Sequence, residues 1–498
     1  MHGFLTSSIG VTCAAALALP LTAAPTTATA ATGRAASAPA QAPAASYVPG
    51  STQSLPLTPL TGDRASTAPG TAEQGVPRRD TRHFSLVGVV WDEPATELHG
   101  RVQVRTRATA TGTWSDWQDL ETHNADHAAD PGTAESASGR VRGATAPLWV
   151  GESDGVEVRV RAGDEDGTTD AATTFPLPTG MRLELVDPGE GTPPRPPTDA
   201  AASGEGPRTT AETAETTETA ETAETAESAE PIGAAAEALG SAESAEVFAS
   251  VEGLDASAAN AGLAPLGATE IPALSRIQTE SELLALGTLT EQQKAKPYVG
   301  PRPSITTRRG WGANEKLREK KFVYTKKVKA AFVHHSATGN NYRCSQAPSV
   351  IRSIYRYHVK SMGWRDIGYN FLVDKCGKIY EGRAGGVSKP VLGAHTMGFN
   401  SNSMGIAVLG TYGSKKPSSA AVKAVARLSA WKLGLYGMNP RGKTYLKSGG
   451  GNLYRKGKNV RLNVISGHRD GFSTSCPGKQ LYGKLGTARS SAAKYQGR

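Results

Sequence analysis

The residues most able to do chemistry lie between Ser466 and Gly478, near the carboxyl end of the chain. Within this stretch His468 and Cys476 stand eight positions apart, and the apolar run 460–465 precedes them. Such a run is typical of a buried strand, and the following loop of Gly, Ser and Thr can return Cys476 to the side of His468. Imidazole and thiolate are zinc ligands, so the stretch predicts half of a zinc site.

The other half is expected from a second strand that ends in histidine. Residues 330–333 are apolar, and His334 and His335 follow them. Adjacent strand residues face opposite ways, so only one of these two histidines can reach the metal. Three protein ligands leave the fourth tetrahedral position to water, which is the catalytic rather than the structural arrangement. A lone histidine at a strand end is more often structural, so the interpretation depends on all three ligands occurring together.

Five spaced motifs carry a resemblance to a known family. They are Val333-His334-His335-Ser336, Gly368-Tyr369-Asn370-Phe371, Tyr380-Glu381-Gly382-Arg383, Gly393-Ala394-His395, and Gly467-His468-Arg469-Asp470 with Cys476-Pro477-Gly478. In this order they resemble the peptidoglycan recognition proteins, which are similar to the type 2 N-acetylmuramoyl-L-alanine amidases. The resemblance runs from about Ser304 to Tyr482, which is less than half of the chain.

The resemblance implies a reaction and the residues that perform it. The implied zinc ligands are His334, His468 and Cys476. The implied proton donors or oxyanion stabilisers are Tyr369 and Thr474. The implied contacts to the stem peptide or muramyl group are His358, His395 and Asn400, although core packing is the alternative for His358. Because bound Zn²⁺ activates water and polarises a carbonyl, we expect hydrolysis of the amide between N-acetylmuramic acid and L-alanine.

The cysteines are expected to form one disulfide if the protein is exported, as its first 30 residues predict. Cys13 lies in a predicted signal peptide, and Cys476 is assigned to the metal. Cys344 and Cys376 remain, and an oxidising compartment would join them. Two buried free thiols are the alternative.

The elements that must position these residues can be read from the same region. Strands are predicted near 329–334, 369–374, 378–381, 404–410 and 460–466. Helices are predicted from Pro348, from a cap at Ser418 or Ser419, and after Gln480. This alternation predicts an α/β module at 301–490, with a central mixed β-sheet and helices on its faces.

Four other segments precede this module. Residues 1–30 combine an apolar run with a small-residue cleavage site, which predicts a signal peptide although Lys and Arg are absent from its start. Residues 31–81 are rich in Ala, Pro, Thr and Ser and are predicted to be disordered. Residues 82–187 alternate like strands and predict a separate all-β domain of unknown role, with its tryptophans in the core of a sandwich. Residues 188–300 form an acidic low-complexity linker with glutamates at period three.

Charge divides the chain. Residues 301–498 hold 37 lysines and arginines against 6 acidic residues, whereas the rest holds 18 against 40, within a net charge of +9. A basic module implies a polyanionic partner. Since no nucleic-acid motif is visible and export is predicted, we expect peptidoglycan and anionic cell-wall polymers outside the cell. Beyond the signal, the sequence has no segment long and apolar enough to span a membrane.

Two other functions remain as alternatives. A recognition module of the same fold would bind wall fragments without cutting them, but relatives that only bind usually lack the cysteine ligand. A basic structural protein would tether wall polymers by charge alone and would not need the metal ligands. A glycosidase needs two carboxylates about the scissile bond, and the module's six acids show no such pair. A zincin is excluded by the absence of a His-Glu-x-x-His motif.

Overall fold

The computed structural model describes residues 49–60, 73–122, 124–163, 176–190, 251–263, 268–285 and 295–498. The predicted signal peptide, much of the segment 31–81 and the glutamate repeat of the linker lie outside these residues. None of the helices formed by the described residues is both long enough and apolar enough to cross a membrane.

The N-terminal part of the described chain is an antiparallel β-sheet. Its strands are β1 (Thr52–Pro56), β2 (Thr58–Pro59), β3 (Glu73–Trp91), β4 (Gly100–Ala108), β5 (Gln118–Leu120), β6 (Gly143–Ala144), β7 (Leu148–Ala162) and β8 (Arg182–Val186). Among the described residues these eight strands join in the order β1-β8-β3-β7-β4-β5, with β2 and β6 also paired to β3. Strands β1 and β2, and the first part of β3, precede the predicted domain boundary at residue 82.

Among the described residues, one hydrogen-bonded sheet surrounds this domain's core. The pairing of β3 with β7 shifts register at three places between Val76 and Leu86. Such irregularities bend a strand, so a single sheet can wrap around its own apolar side chains. Trp91 is buried, but Trp114 and Trp117 are half-buried against arginine guanidinium groups, so placing these two in the core was wrong.

The C-terminal part is an α/β module. Its helices and strands up to His335 are α1 (Val251–Ala258), β9 (Glu270–Ile271), α2 (Arg276–Ala285), β10 (Ile305–Thr306) and β11 (Ala330–His335). The following ones are α3 (Ala347–Arg356), β12 (Phe371–Val373), β13 (Ile379–Glu381), β14 (Ser403–Val408), α4 (Ser419–Gly434), β15 (Lys443–Lys447), β16 (Asn459–Asn463), β17 (Ile465–Gly467), α5 (Lys479–Tyr482) and α6 (Leu485–Tyr495).

A mixed sheet forms the centre of this module, as the sequence predicts. Within the described residues it has seven strands in the order β17-β11-β14-β12-β13-β10-β9. The first four of these run parallel, whereas β13 is antiparallel to β12. Helices α4 and α6 pack on one face, where Trp431 and Leu428 are fully buried. The carboxyl ends of β11, β14 and β17 therefore meet at one edge of the sheet.

The apolar run 460–466 is two strands rather than one. Strand β16 forms a separate hairpin with β15. The extended pairing is interrupted at Val464, and β17 then joins the main sheet beside β11. Leu462 therefore packs in a small cluster with Phe332 and Phe399, while Ile465 enters the main core.

The helix boundaries follow their capping residues. Ser418 is the N-cap of α4, and its side chain accepts a hydrogen bond from Ala421 N at 3.0 Å. Helix α3 has Pro in its first turn and continues into a π-helical turn, Tyr357–Ser361. Just before α3, Cys344 forms the predicted disulfide with Cys376, which links the start of the helix to the β12–β13 turn.

The N-terminal sheet and the module share a core. The Tyr357 hydroxyl donates to the carbonyl of Thr145 at 3.1 Å, and Ser361 Oγ donates to Glu184 at 2.9 Å. Leu86 and Trp149 of the sheet belong to the same apolar cluster as residues of α3. A Cβ at Gly88 would lie 2.3 Å from the Tyr357 hydroxyl, so this glycine permits the close approach. The two parts are thus packed against each other rather than merely tethered.

The last residue of β13, Glu381, has a buried carboxyl. Glu381 is 2 % exposed and accepts hydrogen bonds from Asn260 Nδ2 at 3.0 and 3.1 Å and from Arg308 N at 3.2 Å. Burial raises the pKa of Glu381 to about 7, from an ordinary value of 4.5.

This shift predicts that the fold loses stability as the pH rises from about 4.5 to about 7. A carboxyl whose pKa is raised on folding stabilises the fold fully below its unfolded pKa, and that contribution is lost as the pH rises through the folded pKa near 7. Denaturant unfolding gives the free energy of unfolding of Glu381→Gln and of wild type. As the pH goes from 5 to 8, we expect the value for Glu381→Gln to rise by about 2–3 kcal/mol relative to that of wild type. Glu270→Gln, an exposed carboxyl on β9, is the control. A wild-type-to-Gln difference that stays constant with pH would contradict the assignment.

Candidate metal centre

Two histidines meet at the carboxyl edge of the central sheet because two parallel strands end in register. Val333 of β11 is the partner of Gly467, the last residue of β17, so His334 and His468 are the residues that directly follow this pair. Their ring centroids lie 4.5 Å apart, and both rings are fully buried. The structure brings His334 rather than His335 into this cluster.

The loop after β17 returns Cys476 to the same place. A short 3-10 turn, His468–Asp470, opens the loop, and Arg469 N donates to Cys476 O at 3.0 Å. The Cys476 sulfur lies 3.7 Å from His334 Nδ1. The three residues that the sequence assigns to the metal are therefore adjacent.

A fourth candidate ligand comes from the N-terminal domain. His127 Nε2 lies 3.6 Å from Cys476 Sγ, and the His127 ring centroid lies 4.4 Å from that of His468. One ligand atom from each of His127, His334, His468 and Cys476 falls within 4.8 Å of all the others. Sequence reasoning missed His127, whose position lies 207 residues before His334.

The donor set fits zinc. Tetrahedral Zn²⁺ with bonds of about 2.0–2.3 Å holds its ligand atoms about 3.3–3.8 Å apart, which matches both sulfur–nitrogen distances. Burial lowers the pKa of His334 and brings that of His468 to about 3, so both rings are neutral and ready to bind a cation. Both ring nitrogens of His468 are buried and lack a hydrogen-bond partner among the described residues, as expected for a ring that awaits a metal.

Neighbouring groups orient two of the rings. Thr396 Oγ1 lies 3.4 Å from His334 Nε2, which leaves Nδ1 to face the sulfur. Asp126 Oδ1 lies 2.8 Å from His127 Nδ1, which leaves Nε2 to face the sulfur. A carboxylate on the far nitrogen is the usual support of a metal-binding histidine. Burial alone would raise the pKa of Asp126, but the neighbouring His127 holds it below its ordinary value, so the carboxylate is charged.

The predicted proton donors stand beside the cluster. The Tyr369 ring centroid lies 5.5 Å from that of His334, and burial raises the pKa of its hydroxyl well above the ordinary value. The Tyr369 hydroxyl therefore stays protonated and can donate. Thr474 Oγ1 accepts a hydrogen bond from Cys476 N at 3.2 Å and is half-buried.

The three predicted substrate residues are buried in this structure. His358 accepts a hydrogen bond at Nδ1 from Gly368 N at 3.1 Å and lies against Trp364. The His395 ring lies 5.3 Å from the His334 ring, in space that Gly405 of β14 leaves free. Asn400 Oδ1 accepts from the backbone amides of His395 and Thr396. The His395 ring is the one placed directly against a ring of the cluster by these contacts, and all three side chains are buried.

Comparisons with known proteins find relatives of two regions of the chain. Residues 324–479 match the family model described as N-acetylmuramoyl-L-alanine amidase, and residues 37–180 match the one described as Rv3811 N-terminal galactose-binding domain-like. Peptidoglycan-recognition protein SC2 of Drosophila simulans is 33% identical over 159 residues, covering 32% of this chain and 72% of the relative. Peptidoglycan-recognition protein 1 of Holotrichia diomphalia is 36% identical over 187 residues, covering 37% and 79%. Wild-type Drosophila PGRP-LB, a solved structure, is 25% identical with a TM-score of 0.29, covering 37% of this chain and 92% of its own.

The fold and the cluster thus define an amidase-type module joined to a galactose-binding-like domain. The chain belongs to the peptidoglycan-recognition protein family.

Proposed function

We propose that this protein is a secreted zinc-dependent amidase that hydrolyses the bond between N-acetylmuramic acid and L-alanine in peptidoglycan. The observation that carries the proposal is the buried cluster of His334, His468 and Cys476 at the carboxyl edge of the parallel strands. A recognition module that only binds its ligand has no need of a thiolate there. The relatives are named for recognition of peptidoglycan, and the matched family model is described as an amidase of this bond.

Each group has a part in the proposed reaction. His334, His468 and Cys476 would hold Zn²⁺, which when bound supplies activation of water and polarisation of the amide carbonyl. Tyr369 keeps its proton because burial raises its pKa, so its hydroxyl can donate a hydrogen bond to the oxygen that becomes negative. Thr474, which lies two residues before Cys476 in the loop, would offer a second hydroxyl.

Other residues would hold the substrate. His358, His395 and Asn400 lie around the cluster and carry the ring nitrogens and amide that could meet a stem peptide or a muramyl group. The excess of positive charge in residues 301–498 would draw the module to anionic wall polymers.

The products of the reaction test this function. Soluble muropeptide is incubated with wild type and with His127→Ala, and the products are identified by mass spectrometry. The variant is included because His127 occupies one side of the metal cluster and its removal leaves room there. We expect His127→Ala to yield a peptide with a free L-alanine amine and a muramic acid with a free carboxyl, gaining one water between them. If muropeptide binds but is recovered intact, the non-catalytic recognition module replaces the amidase.

A further inference from the structure

One connection of the N-terminal domain crosses the metal cluster of the C-terminal module. Residues 121–142, which join β5 to β6, are here called the plug segment, and all of them except His123 are described. Its backbone is bonded to the module at separate places. Met397 N donates to Asp126 O at 2.9 Å, and Arg142 N donates to Met362 O at 3.1 Å. The plug segment is thus docked along the module rather than touching it at one point.

His127 of the plug segment is presented as a metal ligand. Its Nδ1 is held by Asp126 at 2.8 Å, and its Nε2 faces Cys476 Sγ at 3.6 Å. With His334 and His468 this makes four protein ligands. Four protein ligands fill a tetrahedral zinc site, whereas a catalytic site keeps one position for water.

Three carboxylates of the plug segment bind polar groups of the module, and the module surface that they cover is here called the cleft. Glu135 forms a two-pronged ion pair with Arg383, with both contacts at 2.9 Å and both side chains buried. Asp130 Oδ1 accepts from Gly398 N at 2.8 Å and from Asn400 Nδ2 at 2.7 Å. Nearer the metal cluster, Glu121 accepts from Ser475 Oγ at 2.9 Å and lies 3.4 Å from His335 Nε2.

These contacts compete with a substrate. Asn400, which is proposed above to meet the substrate, already binds Asp130 and donates to the Ala128 carbonyl at 2.8 Å. The plug segment presents carboxylates to the cleft much as an acidic peptide would. A muropeptide can therefore reach the cluster only where the plug segment has withdrawn.

We propose that the plug segment is an autoinhibitory element, in which His127 closes the zinc site as a fourth ligand and the carboxylates fill the cleft. The inference rests on the proposed amidase function. Withdrawal of the plug segment opens both the metal position and the substrate cleft, so the protein is latent until the plug segment releases its hold.

The nature of the contacts allows such a release. The apolar residues of the plug segment that pack on the module's core are Ala129 and Val141, and both are only partly buried. The remaining hold is polar, and in a buried ion pair the cost of desolvation offsets much of the attraction. The plug segment can therefore leave without exposing a large apolar surface.

The test compares four full-length chains. His127→Ala removes the fourth ligand, Glu135→Gln removes the charge that pairs with Arg383, and His83→Ala is a matched control on β3, away from the cluster. Zinc K-edge X-ray absorption reports the ligands of the loaded proteins, and fluorescence anisotropy reports the affinity for a labelled muropeptide. Release of L-alanine amino groups is measured on the same preparations, and circular dichroism confirms folding.

We expect three nitrogens and one sulfur around zinc in wild type and His83→Ala, and two nitrogens, one sulfur and one oxygen in His127→Ala. Muropeptide affinity should rise on the order of tenfold to a hundredfold in His127→Ala and Glu135→Gln, because a closed state lowers the apparent affinity by the open fraction. An oxygen ligand in wild type, or equal muropeptide affinity in all four chains, overturns autoinhibition. An opened site that binds muropeptide without releasing amino groups leaves autoinhibition of binding standing and rejects the amidase function instead.

Discussion

Replacing Cys476 with serine in a chain that also carries His127→Ala is expected to abolish zinc binding and amide hydrolysis together. That double variant keeps only His334 and His468 of the cluster. Serine is nearly isosteric with cysteine but does not supply a thiolate. Loss of the metal removes several kcal/mol of transition-state stabilisation, and since about 1.4 kcal/mol is tenfold in rate, we expect a fall of about a thousandfold or more.

The matched control is Cys476→Ser alone. There His127, His334 and His468 still offer three imidazoles, so this single variant should retain zinc while the double variant does not. Zinc content after dialysis against a weak chelator, and amino-group release from muropeptide, are measured on both. Equal rates in His127→Ala and in the double variant would show that Cys476 takes no part in the reaction.

Replacing Arg308 with methionine should cost the C-terminal module much of its stability. The guanidinium is 1 % exposed, and its Nε contacts Glu315 at 2.6 Å while Nη1 contacts Asp366 at 3.2 Å. Methionine has no charge to balance these buried carboxylates. Breaking a buried pair by removing one partner typically costs about 3–5 kcal/mol, which is a large part of an ordinary domain's stability.

Unfolding in guanidinium chloride, followed by tryptophan fluorescence, measures this loss of stability, since Trp311 lies under the Arg308 side chain. Arg101→Met is the matched control because its two-pronged contact with Asp119 is exposed on the N-terminal sheet. We expect no measurable change in that variant. An Arg308→Met chain as stable as wild type would mean that the buried carboxylates do not need the guanidinium.

The closeness of His334, His468 and Cys476 could be predicted because local patterns place them. His334 and His468 each follow a short apolar run, and such runs form parallel strands whose ends meet. The helix cap at Ser418 is set by nearby residues. The disulfide between Cys344 and Cys376 follows from the number of cysteines that remain. These features depend on few neighbours, so the sequence alone predicts them.

His127 could not be predicted because nothing local marks it. It lies in an irregular connection of another domain, and its role depends on a docking that no periodicity records. The one signal available was the charge division, which places acidic residues such as Glu135 outside the basic module. That division suggested an anionic partner, and part of it is satisfied within the chain by contacts such as that of Glu135 with Arg383.

The break at Val464 was missed for a related reason. Residues 460–465 alternate and are apolar enough for one strand, but the pairing partner changes from β15 to β11 within the run. Tertiary pairing overrides a local pattern of this kind.

Titration of the metal-free His127→Ala chain with Zn²⁺ tests the central claim most directly. The rate at which new L-alanine amino termini appear from purified muropeptide is followed as zinc is added. The proposed amidase predicts no release without metal and a rate that rises linearly and stops at one equivalent of zinc. A rate that is independent of zinc, or the appearance of new reducing sugar ends in place of amino termini, would contradict it.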